Sequence, residues 1–173
     1  MHCNLKIYGL GGHKIWKHQN KITGGVIFEM LSHMVDLAVW LFGKCIQIKY
    51  VDKQILRKER IIENKIVKIK KPDYCLIQLK FEKNMIVNIE SNFFSKTFHQ
   101  SIDLNGSSGF IRSNINDKTL QLITNKTSTY KVNNSNMFEK QILSFLNNKK
   151  EESYSNFKDN YQNQLLIKKI KEF

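Results

Sequence analysis

The chain has 173 residues, 41% of them hydrophobic and 11% aromatic, which suffices for one packed domain and excludes a disordered or collagen-like chain. Cys3, Cys45 and Cys75 form no Cys-x-x-Cys pair, so neither a disulfide framework nor a zinc knuckle is indicated, and a reducing cytoplasm is the expected location. A formal net charge of +13 raises nucleic acid as a partner, but Arg57, Arg60 and Arg112 are the only arginines, so the planar fork that grips phosphate is scarce.

The opening Met1-His2-Cys3-Asn4-Leu5-Lys6 lacks the apolar core of a signal peptide. Leu5 to Tyr8 is expected as a short strand, followed by the loop Gly9-Leu10-Gly11-Gly12. A strand followed by Gly9-x-Gly11 begins like a dinucleotide fingerprint, but the third glycine should fall at position 14, which is Lys14. No helix opens directly behind it, and no acidic residue closes a following strand to hold a ribose, so NAD binding by this segment is rejected. Thr23 as cap and Gly43 as stop then bracket a helix from about Gly25 to Phe42. Its apolar residues lie on nearly all sides, the pattern of a buried helix. The run carries Glu29, His33 and Asp36 and falls short of the ~20 residues of a bilayer span, so no membrane is expected.

Beyond Gly43 the period changes to two. Ile46 to Val51, Ile66 to Ile69, Tyr74 to Phe81, Met85 to Glu90, Ser101 to Leu104, Gly109 to Ile111, Leu120 to Ile123 and Ser128 to Val132 read as strands joined by short polar turns. One helix cannot supply the crossovers of a parallel sheet, so the sheet is expected to be antiparallel. Lys44 to Lys71 carries ten basic and three acidic residues. Its lysines Lys65, Lys68 and Lys70 fit the solvent face of a strand better than a nucleic-acid site. Ser135 caps an expected helix with Met137, Ile142, Phe145 and Leu146, and Phe157 to Ile170 forms the last one. The expectation is one α+β domain over residues 1–173, a large, mostly antiparallel open sheet with helices packed on one face.

At ~100° per residue, Glu29, His33 and Asp36 fall within about 60° of one another on the first long helix. Three ionisable groups in a row on an apolar helix are paired, hydrated in a cleft, or functional. A carboxylate one turn from an imidazole can raise its pKa and orient it for proton transfer with a substrate hydroxyl. A hydrogen-bonded Glu–His–Asp cluster that only pins the helix fits the spacing equally well. A metal site fits less well, because His2, His13, His18 and His99 have no ligand spacing with His33.

Thr23-Gly24-Gly25, the apolar run with Glu29, His33 and Asp36, and the closing Trp40-Leu41-Phe42-Gly43 together resemble a signature of the glucose–fructose oxidoreductase/inositol dehydrogenase (Gfo/Idh/MocA) family. That signature runs Gly-Gly-Gly, an apolar run, Asp or Glu, three residues, His, two residues, Asp, then Trp-Leu-Phe-Gly, and it opens the family's C-terminal domain. Tyr74 to Glu90 resembles the family's hairpin, Ile102 to Ile111 its strand–Gly-Thr-x-Gly–strand element, and Phe138 to Leu146 and Phe157 to Phe173 its last helices.

The resemblance implies a substrate-binding domain of an NAD(P)-dependent oxidoreductase acting on sugar- or polyol-type CH–OH groups. By it, His33 serves proton transfer, Glu29 orients His33 or binds a hydroxyl, and Trp16 lines the substrate pocket; Asp36, Gly24 and Gly25 support the helix. The sequence departs from the pattern in its reduced glycine triplet, in Glu29 for the usual Asp, and in lacking a Rossmann domain with its Glu-Lys-Pro motif, whose lysine no residue here replaces. NAD or NADP is thus implied but not expected to be bound by this chain alone, no metal is expected, and a separately encoded Rossmann-domain chain is the expected partner. The isolated chain is expected to be inactive. The alternative is a non-catalytic binding or oligomerisation module, pairing as a homo-oligomer through the sheet face by outward residues including Ile77, Leu79, Ile86 and Ile102.

Overall fold

The computed structural model describes residues 1–10, 14–19, 24–114, 116–131, 139, 142–143, 146 and 157–173, with 157–159 described by their backbone alone. Strand β1 (His2–Tyr8) alternates strictly: Cys3, Leu5 and Ile7 are buried, while His2, Asn4, Lys6 and Tyr8 are turned to the other face. After the short helix α1 (Trp16–Gln19) a π-helical turn (Ile27–Leu31) runs directly into α2 (Ser32–Phe42). Strands β2 (Cys45–Gln54), β3 (Glu59–Ile62), β4 (Lys65–Lys68), β5 (Tyr74–Phe81), β6 (Ile86–Asn92), β7 (His99–Gly106), β8 (Gly109–Asn114), β9 (Thr119–Ile123) and β10 (Thr127–Lys131) follow, and α3 (Phe157–Glu172) closes the chain.

Eight strands form one sheet in the order β10-β9-β8-β7-β1-β6-β5-β2, and β3–β4 stand apart as a two-stranded ribbon. Every pairing in the large sheet is antiparallel except β1 with β6, where Leu5 lies opposite Ile89. The expected α+β class and the mostly antiparallel open sheet are therefore what the chain adopts. Strand β1 is longer than its apolar letters suggested and sits in the middle of the sheet. A strand flanked by an antiparallel neighbour on one side and followed by a four-residue helix is not the opening of a mononucleotide fold.

The core lies between one face of the central strands and the helices. Cys3, Leu5 and Ile7 from β1, Cys75, Ile77, Leu79 and Phe81 from β5, and Val87 and Ile89 from β6 meet Val26, Ile27, Met30, Leu31, Met34, Val35 and Ala38, with Ile167 and Ile170 of α3 alongside. Each Val, Leu, Ile, Met or Phe side chain among them contributes roughly 1.5–3 kcal/mol on leaving water. Two expectations are corrected here. Ile77 and Leu79 face the helices, because β5 buries its odd positions and turns Leu76, Gln78 and Lys80 outward, and Ile102, opposite the buried Leu5, packs against the same core. The long helix is buried on one side only: Trp40 and Leu41 are exposed, and His33 stands in solvent. Of the penultimate helix expected from Ser135, only Glu139, Ile142, Leu143 and Leu146 are described, and these are helical; the expected cap Thr23 also lies outside the described residues.

Candidate functional site

The helix that carries the acid and the imidazole is anchored at its start by two glycines. Gly24 and Gly25 have φ of +92° and +75°, a region costly for any residue with a Cβ. A Cβ on Gly24 would sit 2.7 Å from the Lys17 carbonyl oxygen, and one on Gly25 would sit 2.9 Å from the Lys71 Cβ. Val26 N–H then donates to the Pro72 carbonyl at 2.9 Å, fixing the first turn against the loop before β5. The glycine pair thus lets the chain pass between α1 and the Lys71–Pro72 segment.

Within the next turn the helix widens. Ile27–Leu31 is π-helical, and the Ser32 hydroxyl donates back to the Phe28 carbonyl at 2.7 Å. The three groups part company: Glu29 takes an ion pair from Lys17, Asp36 accepts from Asn163 of α3, and His33 points into solvent. Among the described residues no hydrogen bond joins His33 to either carboxylate. The purely structural Glu–His–Asp cluster is therefore not what this sequence builds.

Lys17 is the site residue that sequence reasoning missed. Its Nζ lies 2.5 Å from Glu29 Oε2, with side chains 27% and 22% exposed, so the pair sits at the rim of the core and not on open surface. The same ammonium lies 5.4 Å from the ring centroid of Trp16, a residue 47% exposed. Trp16 and Lys17 are held there by their neighbour. His18 is buried, packs edge-on against Phe93 with centroids 5.8 Å apart, and approaches Arg60 of β3 at 3.4 Å. Its carbonyl accepts Lys70 N–H, and Gln19 donates to the Lys68 carbonyl, so the β3–β4 ribbon clasps α1. The only available signal was Trp16-Lys17 standing twelve residues before an acid; nothing in helical periodicity links them.

Asp36 ties the two long helices together: Asn163 Nδ2 donates to Asp36 Oδ1 at 2.5 Å. Asn163 is buried, and its own Oδ1 has no partner, so the amide is committed through its nitrogen alone. Chemically, the arrangement offers a half-buried carboxylate with one oxygen held by a cation, an imidazole one turn away with free access to water, and an aromatic face beside them. Such a set can accept a hydroxyl proton and stack a sugar ring. No group of three or more His, Cys, Asp or Glu side chains suited to a metal ion occurs among the described residues.

On the far side of the sheet lies a polar cavity of about 270 Å³, lined by Asn4, Lys6, Leu76, Asn88, Glu90 and Asp103 with the Leu5 backbone. Tyr8 donates to Glu90 there at 2.6 Å and stacks on His99, while Asn88 bonds His2, Asn4 and Gln78. No helix among the described residues is long and apolar enough to cross a membrane.

The fold recurs in solved structures. An NAD-binding oxidoreductase from Klebsiella pneumoniae aligns at a TM-score of 0.82 with 12% identity, covering 99% of this chain and 55% of that one. A levoglucosan dehydrogenase in its apo form aligns at 0.78 with 14% identity, covering 99% and 56%; the same enzyme is known in complexes with NADH and L-sorbose and with NADH and levoglucosan. A super-repressor mutant of Gal80p from Saccharomyces cerevisiae aligns at 0.75 with 15% identity, covering 98% and 55%. The chain thus spans about half the length of these proteins. No curated protein sequence gives a significant match. The model of the GFO/IDH/MocA C-terminal domain matches residues 1–112, from the central strand through the glycine-led helix to β8. The chain belongs to the Gfo/Idh/MocA oxidoreductase family, and what it carries is the family's C-terminal domain.

Proposed function

We propose that this chain supplies the substrate-binding half of an NAD(P)-dependent oxidoreductase acting on a hydroxyl of a sugar- or polyol-type compound. The observation that supports the reading is the pairing of a half-buried Glu29 with Lys17 one turn before a solvent-facing His33 and beside Trp16. Glu29 accepts a substrate hydroxyl through the oxygen that Lys17 leaves free. His33 takes or returns the proton, and Trp16 offers a ring face to the apolar side of the sugar. Gly24, Gly25 and Asp36 serve as supports, the glycines setting the start of the helix and Asp36 clamping it to α3.

The described residues do not fit a dinucleotide. Among the described residues Tyr8 and Gly9 lead only to the four-residue α1, too short to present a turn of N–H groups to a pyrophosphate. The nicotinamide is therefore left to a nucleotide-binding unit outside the described residues, and the chain's own residues bind, orient and move a proton. Saturation-transfer NMR with levoglucosan, L-sorbose and related polyols tests the reading. Binding is expected, with loss in Glu29→Ala and His33→Ala; a panel that leaves the Trp16 and His33 resonances unmoved would refute it. The purified chain is expected to show no NAD(P)H oxidation with keto-sugars, and turnover would contradict that part.

A second reading is favoured by a different observation. The sheet face opposite the helices is polar, half-buried and cross-linked through Tyr8, Glu90, Asn88 and Asn4, as a surface that meets a partner would be. In this reading the chain is a binding or assembly module that forms a homo-oligomer through that face.

A further inference from the structure

The two most exposed large hydrophobic side chains among the described residues are neighbours. Ile61 is 78% exposed and Ile66 73%, and they lie directly opposite each other across the β3–β4 ribbon. The ribbon is rigidly set: Glu63 and Asn64, its two turn residues, both have positive φ, as a tight primed turn requires. Its inner face is used, because Ile62 and Val67 are buried. Its outer face carries that aliphatic pair with Lys68 and Glu59 beside it; Lys65 stands exposed at the turn, opposite Ile62, and Lys58 and Lys70 are exposed in the flanking segments. Of the two acids on the ribbon, Glu63 is taken by Lys14 at 3.3 Å and Glu59 stands opposite Lys68, so the patch carries a clear positive surplus.

We propose that the outer face of the β3–β4 ribbon rests on an anionic lipid surface, with Ile61 and Ile66 entering the headgroup boundary and the lysines around them facing lipid phosphates. The chemistry of the patch selects this occupant. Protein interfaces concentrate aromatics and arginine at their centres and are depleted of lysine, the reverse of this surface. Single-stranded nucleic acid is held by stacking on aromatics, and β3–β4 has none. A second copy would bring two positive patches together. Two exposed aliphatic side chains with lysines beside them and at the turn, each a hydrated point charge, match the interfacial mode of binding to acidic lipid. The expectation of no membrane rested on the lack of a spanning segment, and contact of this kind needs none.

Co-sedimentation of the full chain with vesicles tests the proposal. Vesicles of phosphatidylcholine alone and of phosphatidylcholine with phosphatidylglycerol in equal parts are compared at low and at roughly physiological ionic strength. Binding is expected only to the mixed vesicles and is expected to weaken as salt rises. The double variant Ile61→Thr/Ile66→Thr keeps two β-branched residues at exposed positions, so its circular dichroism and melting temperature should match the wild type. Its affinity for mixed vesicles is expected to fall about tenfold or more. Lys65→Glu/Lys68→Glu is expected to abolish pelleting. Absence of binding to mixed vesicles, or binding undiminished in the double threonine variant, would overturn the proposal. So would equal retention of wild type and threonine variant by double-stranded DNA at the affinity seen for vesicles, since charge alone would then explain both.

Discussion

Lys17 changes how the candidate site works. A carboxylate at the rim of a core is expensive to hold in place without a counter-charge, and Lys17 supplies one at 2.5 Å. Lys17→Met is expected to cost about 1 kcal/mol of stability, the range for a partly exposed pair. It is also expected to weaken sugar binding roughly tenfold, because Glu29 loses the contact that fixes its rotamer. Lys17→Arg keeps the charge and should retain most of both. Calorimetric titration with levoglucosan, alongside thermal melts, separates these effects; a methionine variant that titrates like the wild type would remove Lys17 from the site. The buried thiols give a second, independent test. Burial pushes both Cys3 and Cys75 up to about 12, with Asp103 adding to the rise at Cys3, against an ordinary 9.0. Unfolded thiols ionise near 9 while the folded ones hold their protons, so the folded state binds more protons between those values. Stability is therefore complete below about pH 9 and falls as pH rises toward 12, by about 1.4 kcal/mol per unit for each thiol. Denaturant midpoints at about pH 8 and about pH 10.5 should show the drop, and Cys3→Ala/Cys75→Ala should flatten the slope whatever its baseline. An unchanged slope would show that these thiols do not set the alkaline limit.

The helix that opens at Gly25 was legible because a glycine pair, an apolar run and a terminal Gly43 are local signals. Its π-turn was not, since Ile27–Leu31 reads as ordinary helix and the extra residue is accommodated by what packs around it. Nor were the partners within the site: Glu29 pairs with Lys17, and His33 stands exposed. The glycines' role lies at the same scale. Gly25→Ala would place a Cβ at φ +75° and 2.9 Å from Lys71 Cβ. The expected cost is about 1–3 kcal/mol, seen as a fall of several degrees in melting temperature by scanning calorimetry. An alanine variant that melts with the wild type would show that the backbone there relaxes freely. The β3–β4 ribbon shows the opposite limit of legibility. Ile66 to Ile69 announced a strand by alternation, but Glu59–Ile62 did not, and only the pairing reveals that Ile61 and Ile66 share an outer face.

At the scale of the whole molecule, the alternation of β1, β5 and β6 made an open sheet predictable, but not which face of each strand meets the helices. Ile77 and Leu79 looked like partner-facing residues because neighbouring strands, and not the strand itself, decide the burial side. With those residues under α2 and α3, the uncovered face is left to His2, Asn4, Lys6, Tyr8, Leu76, Gln78, Ile86, Asn88, Glu90 and Asp103. Tyr8 with Glu90, Asn88 with His2, Asn4 and Gln78, and Asp103 with Arg112 are already paired, so an encounter between two such faces would exchange few hydrogen bonds and displace water from the polar cavity there. A typical stable interface covers roughly 800 Å² per partner, an area that four central strands can provide. Self-association through this face is therefore expected at micromolar concentration, of order 10 μM, and it has to overcome the repulsion of a net charge of +13 on each copy. Screening follows directly: dimerisation should strengthen as salt rises from ~0.05 M to ~0.5 M, the reverse of the trend expected for lipid binding by the ribbon. Asn88→Arg adds a further charge at the middle of the face and breaks the links to His2, Asn4 and Gln78, so it should yield monomers at every salt concentration. Sedimentation equilibrium measures both effects. A wild type that stays monomeric at ~100 μM in high salt would leave the open face without a second copy to cover it.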